Sequence, residues 1–430
     1  MSDDPHLSEL ALGIDLGTSG VRTAIVDRSG QVIGVAKAAH SATSNEDASA
    51  WWDAVAHALK AQVDDLTKSG IDPKRIAHAA VDGTSGSMVL VDESLNPVTP
   101  ALMYNSSGFD DEAERIAGFA DITSITRGSS SALARMLHLQ SLDLGGVAKH
   151  VLHQADFITA KLAGQPLGSD DNNALKLGWD PETRQWPTWF NQLGVRTELL
   201  PEVHRTGAPI GTIDGDIAKR FGLSPNLQLH AGTTDSIAAF LAAGASQTGD
   251  AVTSLGTTLA IKLLSDRRID DPASGVYSHL VGGNWLVGGA SNTGGGVLAA
   301  LFSPDQLAAL SAQIDPETVS NLDYYPLLKP GERFPVNDPD LLPRMEPRPA
   351  DDAEFLQGLL ESIARIEAAG YARLVALGAP QPRKVFTAGG GAKNPVWTAI
   401  RQRLLNVPMA NASHAEASVG VARLCFQSAD

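Results

Sequence analysis

The 430-residue chain contains one cysteine, Cys425, and this scarcity excludes several kinds of site. A single cysteine cannot form an internal disulfide, which is typical of a protein from a reducing compartment. It also excludes a zinc centre built from cysteine ligands. None of the 11 histidines is paired at the H-x-x-x-H spacing of a helical metal site. We therefore interpret Cys425 as a buried structural thiol and the histidines as structural or surface groups.

Positive charge is also scarce. The 33 lysines and arginines are outnumbered by 49 aspartates and glutamates, and the formal net charge is −16. Nucleic-acid phosphates and anionic membrane surfaces are bound through clustered basic side chains, so we expect neither as a partner. A neutral substrate suits such a chain better than an anionic one.

The sequence has no long apolar run. The longest helix-like run, Ile237–Ala245, is much shorter than the roughly 20 residues that cross a bilayer. The stretch Met1–Glu9 is acidic and polar, without the basic and apolar regions of a secretory signal peptide. We therefore expect a cytoplasmic protein, and its length favours two domains.

The most informative stretch is Leu12–Asp27, in which two β-rich runs flank a tight Gly-Thr-Ser-Gly turn. Such a hairpin presents backbone N–H groups and two hydroxyls at its tip, close to the carboxylate of Asp15. These groups can hold a phosphate and its Mg²⁺, although an ordinary glycine-containing hairpin is the alternative. The string Leu16-Gly17-Thr18-Ser19 recurs as Leu255-Gly256-Thr257-Thr258. The recurrence suggests a duplicated fold whose halves present phosphate-binding hairpins to a shared cleft.

Three other strand-like runs end in polar or glycine-rich turns, which is where ligand sites of α/β folds usually lie. Ile76–Val81 leads into Asp82-Gly83-Thr84-Ser85, and Lys384–Ala388 leads into a glycine-rich turn before the predicted helix Pro395–Leu404. Leu227–Ala231 leads through a turn to Asp235 at a helix start. Asp235 has two interpretations at this point, a helix N-cap or a catalytic base.

Two further segments have open interpretations. The polar cluster at residues 169–173 is either a solvated loop or a sugar-facing loop, since Asp and Asn commonly bind hydroxyls. The glycine-rich run Gly288–Gly296 predicts a turn before a helix, but a glycine cluster alone is weak evidence for a phosphate site.

Four motifs follow one another along the chain: Asp-Leu-Gly-Thr-Ser, Gly-Thr-Thr-Asp, Ser-Leu-Gly-Thr-Thr and Gly-Gly-Gly-Ala-Lys-Asn. In this order they resemble the FGGY carbohydrate kinases of the actin/Hsp70/sugar-kinase superfamily, over nearly the whole chain. The resemblance implies an α/β fold of two actin-like (ribonuclease H-like) domains with a central cleft. It implies an N-terminal domain, on the sugar and metal side, at residues 1–242 plus 416–430. The C-terminal domain, on the nucleotide side, would span residues 243–415.

The short chain, with Val-Asp-Gly-Thr-Ser-Gly and Asn-Ala-Leu-Lys-Leu-Gly, is most similar to the cyanobacterial and plant-plastid xylulose-kinase-like members of that family. The cyanobacterial members are regarded as D-ribulose kinases. The resemblance implies transfer of the γ-phosphate of ATP to a ketopentose hydroxyl, with D-ribulose giving D-ribulose 5-phosphate. A xylulokinase, another polyol or ketose kinase, or an actin/Hsp70-like ATPase switch without sugar turnover are the alternatives. The sugar loop of longer relatives is replaced here by Tyr104-Asn105-Ser106-Ser107.

The same resemblance implies roles for individual residues. Asp15 would bind Mg²⁺ and lie near the sugar, Ser85 would line the sugar pocket, and Asp235 would accept the proton of the attacking hydroxyl. ATP would be held by Thr18, Ser19, Gly20, Gly256, Thr257, Gly390, Gly391, Asn394 and Trp397. The expected cofactors are ATP and Mg²⁺, the expected partner is a small-molecule sugar, and the protein is expected to be a monomer or a homodimer.

Overall fold

The computed structural model describes residues 9–40 and 46–427. Residues 1–8, on which the argument against a signal peptide depends, lie outside the described residues, as do residues 428–430 of the predicted N-terminal domain. The chain divides into two compact units: the first runs to Ala242 and resumes at Glu416, and the second spans Ala243–Ala415. Each unit contains a six-stranded sheet with helices packed on it, which confirms the α/β class.

The first unit alternates strands and helices along the chain. Its elements are β1 (Leu10–Gly17), β2 (Gly20–Asp27), β3 (Val32–Ala39), α1 (Ala48–Lys68), β4 (Ile76–Gly83), β5 (Met88–Val91), α2 (Asp110–Ala117), α3 (Ala132–Leu142), β6 (His150–His153), α4 (Gln154–Ala163), β7 (Ser169–Asp170), α5 (Asp171–Leu177), α6 (Phe190–Leu193), β8 (Val203–His204), β9 (Pro209–Thr212), α7 (Gly215–Phe221), β10 (Gln228–Thr234) and α8 (Asp235–Ala243).

The second unit has the same alternation of strands and helices, and after it the chain re-enters the first unit. Its elements are β11 (Asp250–Leu255), β12 (Leu259–Ser265), β13 (Tyr277–Val281), β14 (Asn284–Ser291), α9 (Gly295–Leu301), α10 (Pro304–Ser311), α11 (Asp352–Ala376), β15 (Lys384–Ala388), α12 (Pro395–Leu405) and β16 (Met409–Asn411). The last helix, α13 (Ala417–Leu424), belongs to the first unit.

The first sheet has the strand order β3-β2-β1-β4-β10-β9. β1 and β2 form the predicted hairpin, β3 extends it to an antiparallel meander, and β4 and β10 run parallel to β1. β1 is buried at almost every position, whereas β3 is half-buried at its start and then alternates between exposed and half-buried residues, as a central and an edge strand do. Three carboxyl ends of parallel strands therefore meet at one edge of this sheet.

Helix α13 packs against β1, β2 and β4. The contact requires glycine in both elements, because a Cβ atom at Gly13 would lie 1.9 Å from the Ser418 carbonyl oxygen. A Cβ atom at Gly420 would lie 1.8 Å from the Ala238 carbonyl oxygen of α8. The backbone of α13 therefore lies directly against the backbones of β1 and α8 in the first unit.

The second sheet has the order β13-β14-β12-β11-β15-β16 and is covered by the long helix α11. A fully buried ion pair joins α12 to α11, with Arg401 Nε 2.6 Å from Glu367 Oε2. Thr253 of β11 donates to Glu367, and Arg401 donates to Thr387 of β15. These bonds hold β11 and β15, the strands that lead into two glycine-containing turns, to the same helices.

Several predicted boundaries differ from the structure. β10 continues through Thr234, and β14 continues through Ser291, so the turns predicted at residues 232–234 and 288–291 are strand. Pairing with β4 and with β12 supplies the hydrogen bonds that make these glycine-containing segments extended. Leu102 forms an isolated antiparallel bridge with Met88.

The polar cluster at residues 169–173 is buried, so its interpretation as a solvated loop is wrong. Asp170 caps α5 by accepting hydrogen bonds from the backbone N–H groups of Asn172 and Asn173. Over the described ranges, no helix combines the length and the apolar character needed to cross a membrane.

Candidate active site

Three carboxylates lie at the carboxyl ends of neighbouring strands in the first unit. Asp15 of β1 is in register with Asp82 of β4, and Asp82 is in register with Thr233 of β10. Asp235 follows at the first position of α8, where its Oδ1 accepts the backbone N–H of Ser236 at 2.6 Å. The edge of a parallel sheet is the usual ligand position in α/β folds, so these groups form the candidate site of this unit.

Asp82 is the most unusual of the three. Its side chain is 0% exposed, and neither carboxylate oxygen has a hydrogen-bond donor within the described part of the chain. Burial raises the pKa of Asp82 well above its usual range, and the nearby charges of Asp15 and Asp235 act in the same direction. Sequence reasoning did not select Asp82, although its position at the end of a buried strand was visible.

Asp15 is 5% exposed and has mixed surroundings. Burial raises the pKa of Asp15, while the adjacent Asp82 carboxyl group and the Arg22 guanidinium oppose the rise. Arg22 Nη1 lies 3.6 Å from Asp15 Oδ2, and its Nε lies 3.1 Å from Glu416 Oε2. Asp15 is thus held between a buried carboxyl group and a half-exposed guanidinium.

The unit that contains these carboxylates also has buried polar atoms without partners. Ser85 Oγ, Thr234 Oγ1, Gln154 Nε2 and Asn172 Oδ1 have no hydrogen-bond partner among the described residues. Gln154 is oriented by its Oε1, which accepts from the backbone N–H and the hydroxyl of Thr84 at 3.0 and 2.8 Å. Asn172 Nδ2 donates to the hydroxyls of Thr206 and Thr233. Buried polar groups are normally paired, so this set suits a ligand rich in hydroxyls.

The first hairpin tip lies in the same unit. Gly17 pairs with Gly20, and the side chains of Thr18 and Ser19 between them are exposed. Gly20 has φ +158, and a Cβ atom there would lie 2.3 Å from the Ala38 carbonyl oxygen of β3. The hydroxyls of Thr18 and Ser19 are therefore presented on a tip held by β3.

A cavity of about 790 Å³ in the second unit gathers the other predicted residues. The second hairpin tip, the start of α9, helix α10 and the turn before α12 form its walls. Gly256, Thr257, Gly390, Gly391, Asn394 and Trp397 all line it, whereas Thr18, Ser19 and Gly20 belong to the first unit. The backbone N–H groups of Gly295 and Gly296 donate to the carbonyl oxygens of Gly256 and Thr257, which joins α9 to the hairpin.

Asn394 and Trp397 support the turn at Gly390–Lys393. Asn394 Oδ1 caps α12 by accepting the Trp397 N–H, and its Nδ2 donates to Ser311 Oγ of α10 at 2.9 Å. The Trp397 indole is 2% exposed, and its Nε1–H donates to the Leu360 carbonyl oxygen. A Cβ atom at Gly391 would lie 2.7 Å from that ring, so the tryptophan forms the base under the turn. Ser311 and α10 were missed because no local motif marks them.

The fit to Mg²⁺ can be judged from the oxygen ligands of the first unit. No group of three or more His, Cys, Asp or Glu side chains in residues 9–40 and 46–427 is arranged to hold a metal ion. Mg²⁺ in kinases is commonly held by one or two carboxylates together with substrate phosphates. Asp15, with the orphaned oxygens of Asp82 beside it, fits that limited requirement.

Asp82→Asn is expected to raise the melting temperature, with a gain of about 0.5–2 kcal/mol at neutral pH. The folded-state pKa of Asp82 is raised, so the unfolded chain releases this proton at a lower pH than the folded chain. The cost to the folded state therefore appears as pH rises above about 4, and asparagine removes it.

Calorimetry without Mg²⁺ at pH 5 and pH 8 tests this expectation, and the gain should be larger at pH 8. Asp64→Asn is a matched control because Asp64 is exposed and pairs with Lys60 on α1. A loss of stability in Asp82→Asn, or a gain independent of pH, would contradict the expectation.

Both units of the chain match domains of a known protein family. Residues 10–242 match the N-terminal domain of the FGGY family of carbohydrate kinases, and residues 251–429 match the C-terminal domain of that family. Among curated proteins, the xylulose kinase of Escherichia coli K12 is 24% identical over 425 residues, covering 92% of this chain and 84% of the relative. The gluconokinase of Bacillus subtilis is 21% identical, covering 78% and 70%.

Solved structures show the same fold. A xylulose kinase from Rhodospirillum rubrum superposes with a TM-score of 0.82 at 24% identity, covering 97% of this chain and 89% of that chain. A xylulose kinase from Lactobacillus acidophilus with bound ligand has a TM-score of 0.82 at 19% identity, with 97% and 89% coverage. At these identities the likeness is evidence for the fold.

Proposed function

The chain belongs to the FGGY family of carbohydrate kinases, and from this premise we propose that it transfers the γ-phosphate of ATP to a hydroxyl of D-ribulose. The coarser statement, that it is a phosphotransferase acting on a sugar hydroxyl with the actin-like two-domain fold, follows from the family. The proposal concerns the sugar and the residues. Its main support is the set of unpaired buried polar atoms beside Asp15, Asp82 and Asp235.

We assign the sugar and Mg²⁺ to the first unit. The sugar hydroxyls would be bound by Ser85, Gln154 and Thr234, whose buried polar atoms have no other described partner. Asp15 and Asp82 would hold Mg²⁺, which offsets the negative charge of the β- and γ-phosphates. The exposed Thr18 and Ser19 hydroxyls would contact the transferred phosphate.

We assign the nucleotide to the second unit. The hairpin tip at Gly256 and Thr257 lines this cavity, and the backbone and hydroxyl of Thr257 are suited to phosphate oxygens, whereas the Gly256 N–H already donates to the Thr258 carbonyl oxygen. Leu298, Leu307 and Val396 give the cavity an apolar wall for the base.

Asp235 would act as the base. The sugar oxygen forms the new bond to the γ-phosphorus, the bond from that phosphorus to the β,γ-bridging oxygen breaks, and ADP leaves. The proton of the attacking hydroxyl passes to the Asp235 carboxylate. The position of Asp235 at the first turn of α8, beside the two strand-end carboxylates, supports this role.

D-Xylulose is the second candidate substrate, because the curated relatives that the chain resembles over 92% of its length are xylulose kinases. The resemblance of the Val81–Gly86 motif to the short xylulose-kinase-like members favours D-ribulose. The cytoplasmic location and the monomeric or homodimeric state expected from the sequence stay predictions.

A sugar panel tests the substrate. ATP turnover in a coupled assay should be stimulated by D-ribulose more than by D-xylulose, glycerol or sedoheptulose. Gluconate should be at least about 10²-fold worse in kcat/KM, because its carboxylate would approach the negative charges of Asp15 and Asp235, and like charges brought together at a site cost several kcal/mol. Equal basal turnover with every sugar would favour a bare ATPase over the kinase.

The nucleotide assignment has its own test. Trp397→Ala should raise the KM for ATP by about tenfold or more, with a smaller effect on the sugar KM. Truncating a buried tryptophan lowers the free energy of unfolding by about 3–5 kcal/mol. A tenfold rise in KM corresponds to about 1.4 kcal/mol of binding free energy, and loss of the ring beneath Gly391 would loosen the turn that lines the cavity. The melting temperature should also fall, so Trp397→Phe, which keeps most of the ring volume, is the companion variant. Equal losses for ATP and sugar in Trp397→Phe would contradict the assignment.

A further inference from the structure

A second cavity in the second unit takes no part in the proposed reaction. It encloses about 310 Å³ and shares no lining residue with the nucleotide cavity. Its floor is the backbone of β12 and β14 at Gly288–Gly289, and Tyr277 and His279 of β13 form one side. Arg333 and Asn337, from the loop between α10 and α11, form the other side. We call it the β14 cavity.

The β14 cavity is basic in an acidic protein. Lys262 and Arg333 line it, and no aspartate or glutamate does, although the chain carries a net charge of −16. Asp271, which precedes the lining residue Pro272, is paired elsewhere. Asp271 Oδ2 accepts from Ser274 Oγ and from Arg373 Nη2 at 2.5 and 2.6 Å. The local charge of the β14 cavity therefore favours an anion.

The segment that carries Arg333 is anchored on both sides. Glu332 is 2% exposed and accepts from Ser291 Oγ at 2.5 Å, the Asn292 N–H at 2.7 Å and the Tyr325 hydroxyl at 2.9 Å. On the other side the Phe334 ring packs on Gly289, where a Cβ atom would lie 2.5 Å from the ring. The backbone of Arg333 is thus fixed between two buried side chains.

The Arg333 side chain is exposed and has one anchor. Its Nε–H donates to Asn292 Oδ1 at 2.8 Å. Neither Nη1 nor Nη2 has a hydrogen-bond or ion-pair partner among the residues that the structure describes. A guanidinium oriented by Nε that keeps its terminal donors available can bind an oxyanion with a smaller loss of conformational freedom than an unanchored side chain.

We propose that the β14 cavity binds a phosphorylated sugar of about pentose size. A phosphate dianion matches the charge of Lys262 and Arg333 and the planar donor array of the guanidinium. Tyr277 and Asn337 supply polar groups suited to sugar hydroxyls, and the ring pair of Tyr277 and His279, 5.0 Å apart, forms a flat wall. The volume lies at the lower end of ligand pockets, which limits the ligand to a small molecule. This site is independent of the sugar that the kinase phosphorylates.

Isothermal titration of the full chain with D-ribose 5-phosphate tests the proposal. Arg333→Met should weaken binding by about tenfold or more, since hydrogen bonds to charged groups contribute about 1.5–3 kcal/mol. Arg333→Lys should have a smaller effect because it keeps the charge. Arg344→Met is the matched control: Arg344 lies on the same segment, pairs with Asp323 at 2.8 Å and does not line the β14 cavity.

Two further titrations identify which part of the ligand the cavity recognises. D-Ribose without phosphate should bind much more weakly than D-ribose 5-phosphate, and inorganic phosphate should bind in an Arg333-dependent way but less tightly. Lys262→Met gives an independent variant should Arg333→Met fold poorly. Unchanged affinity in both Arg333→Met and Lys262→Met, or no binding by the wild-type chain at millimolar probe, would overturn the proposal. Sugar-kinase activity of Arg333→Met should stay at the wild-type level, which separates this result from the proposed function.

Discussion

Asp235→Asn is expected to lower sugar phosphorylation by about 10²–10⁴-fold while the melting temperature stays nearly unchanged. Asp235 Oδ1 accepts the Ser236 N–H at 2.6 Å at the start of α8. Asparagine keeps an acceptor oxygen there and supports helix starts as well as aspartate does, so the fold should tolerate it. It cannot accept the proton of the attacking hydroxyl, so the chemical step should fail. The checks are calorimetry and a coupled assay, with the KM for sugar expected to change little.

Asp214→Asn is the matched control for this variant. Asp214 caps α7 in the same unit by accepting the N–H groups of Asp216 and Ile217, and it lies outside the carboxylate cluster. Its replacement should leave turnover unchanged. A fully active Asp235→Asn enzyme would leave Asp235 with a structural role only, and another base would have to be sought.

Asp15→Asn is expected to lower activity by at least about 10²-fold, since even groups that surround a metal ligand cost up to that much when removed. The loss should be partly rescued by high Mg²⁺, because the phosphates still supply ligands to the metal. Asp235→Asn should show no such rescue, since the missing function there is proton acceptance. Titration of activity with Mg²⁺ distinguishes the two variants.

Asp27→Asn is a suitable control because Asp27 ends β2 and accepts only from residues of its own turn in the described structure. Mg²⁺-dependent thermal stabilisation in the presence of an ATP analogue gives a readout besides activity. If Asp15→Asn lost activity with an unchanged Mg²⁺ dependence by both measurements, Asp15 would act on the sugar and would not be a metal ligand.

The nucleotide cavity shows how far local patterns reach. Gly256, Thr257, Gly390 and Gly391 were selected from short motifs, and all four line one cavity. Each motif lies at the end of a strand, and β11 and β15 are adjacent and parallel, so their ends must meet. Trp397 was also selected for the nucleotide pocket, and it lines the cavity from a buried position under the turn. Burial of a side chain depends on the elements that cover it, and helix α11 covers this one from 37 residues away.

The three carboxylates at the strand ends show more clearly what local sequence patterns cannot predict. Asp15 and Asp235 stand in recognisable motifs, whereas Asp82 gains its properties from strand pairing with β1 and from complete burial. Gln154 and Asn172 became candidates only from the structure. One end of each side-chain amide is hydrogen-bonded, and the other end is buried without a described partner. No local sequence pattern encodes an atom that lacks a partner, since that property depends on every neighbour at once.

By itself the sequence determined the α/β class, the two hairpins with similar tips and the kinase family, because strand patterns, tight turns and motif order are properties of short stretches. The tertiary structure alone decided that Asp82 is a buried carboxyl group beside Asp15, that residues 169–173 are buried, and that Arg333 lines a basic cavity. These features join residues tens of positions apart in the chain. Burial, charge coupling and cavity shape arise from such distant contacts, which the periodicity of a single segment does not contain.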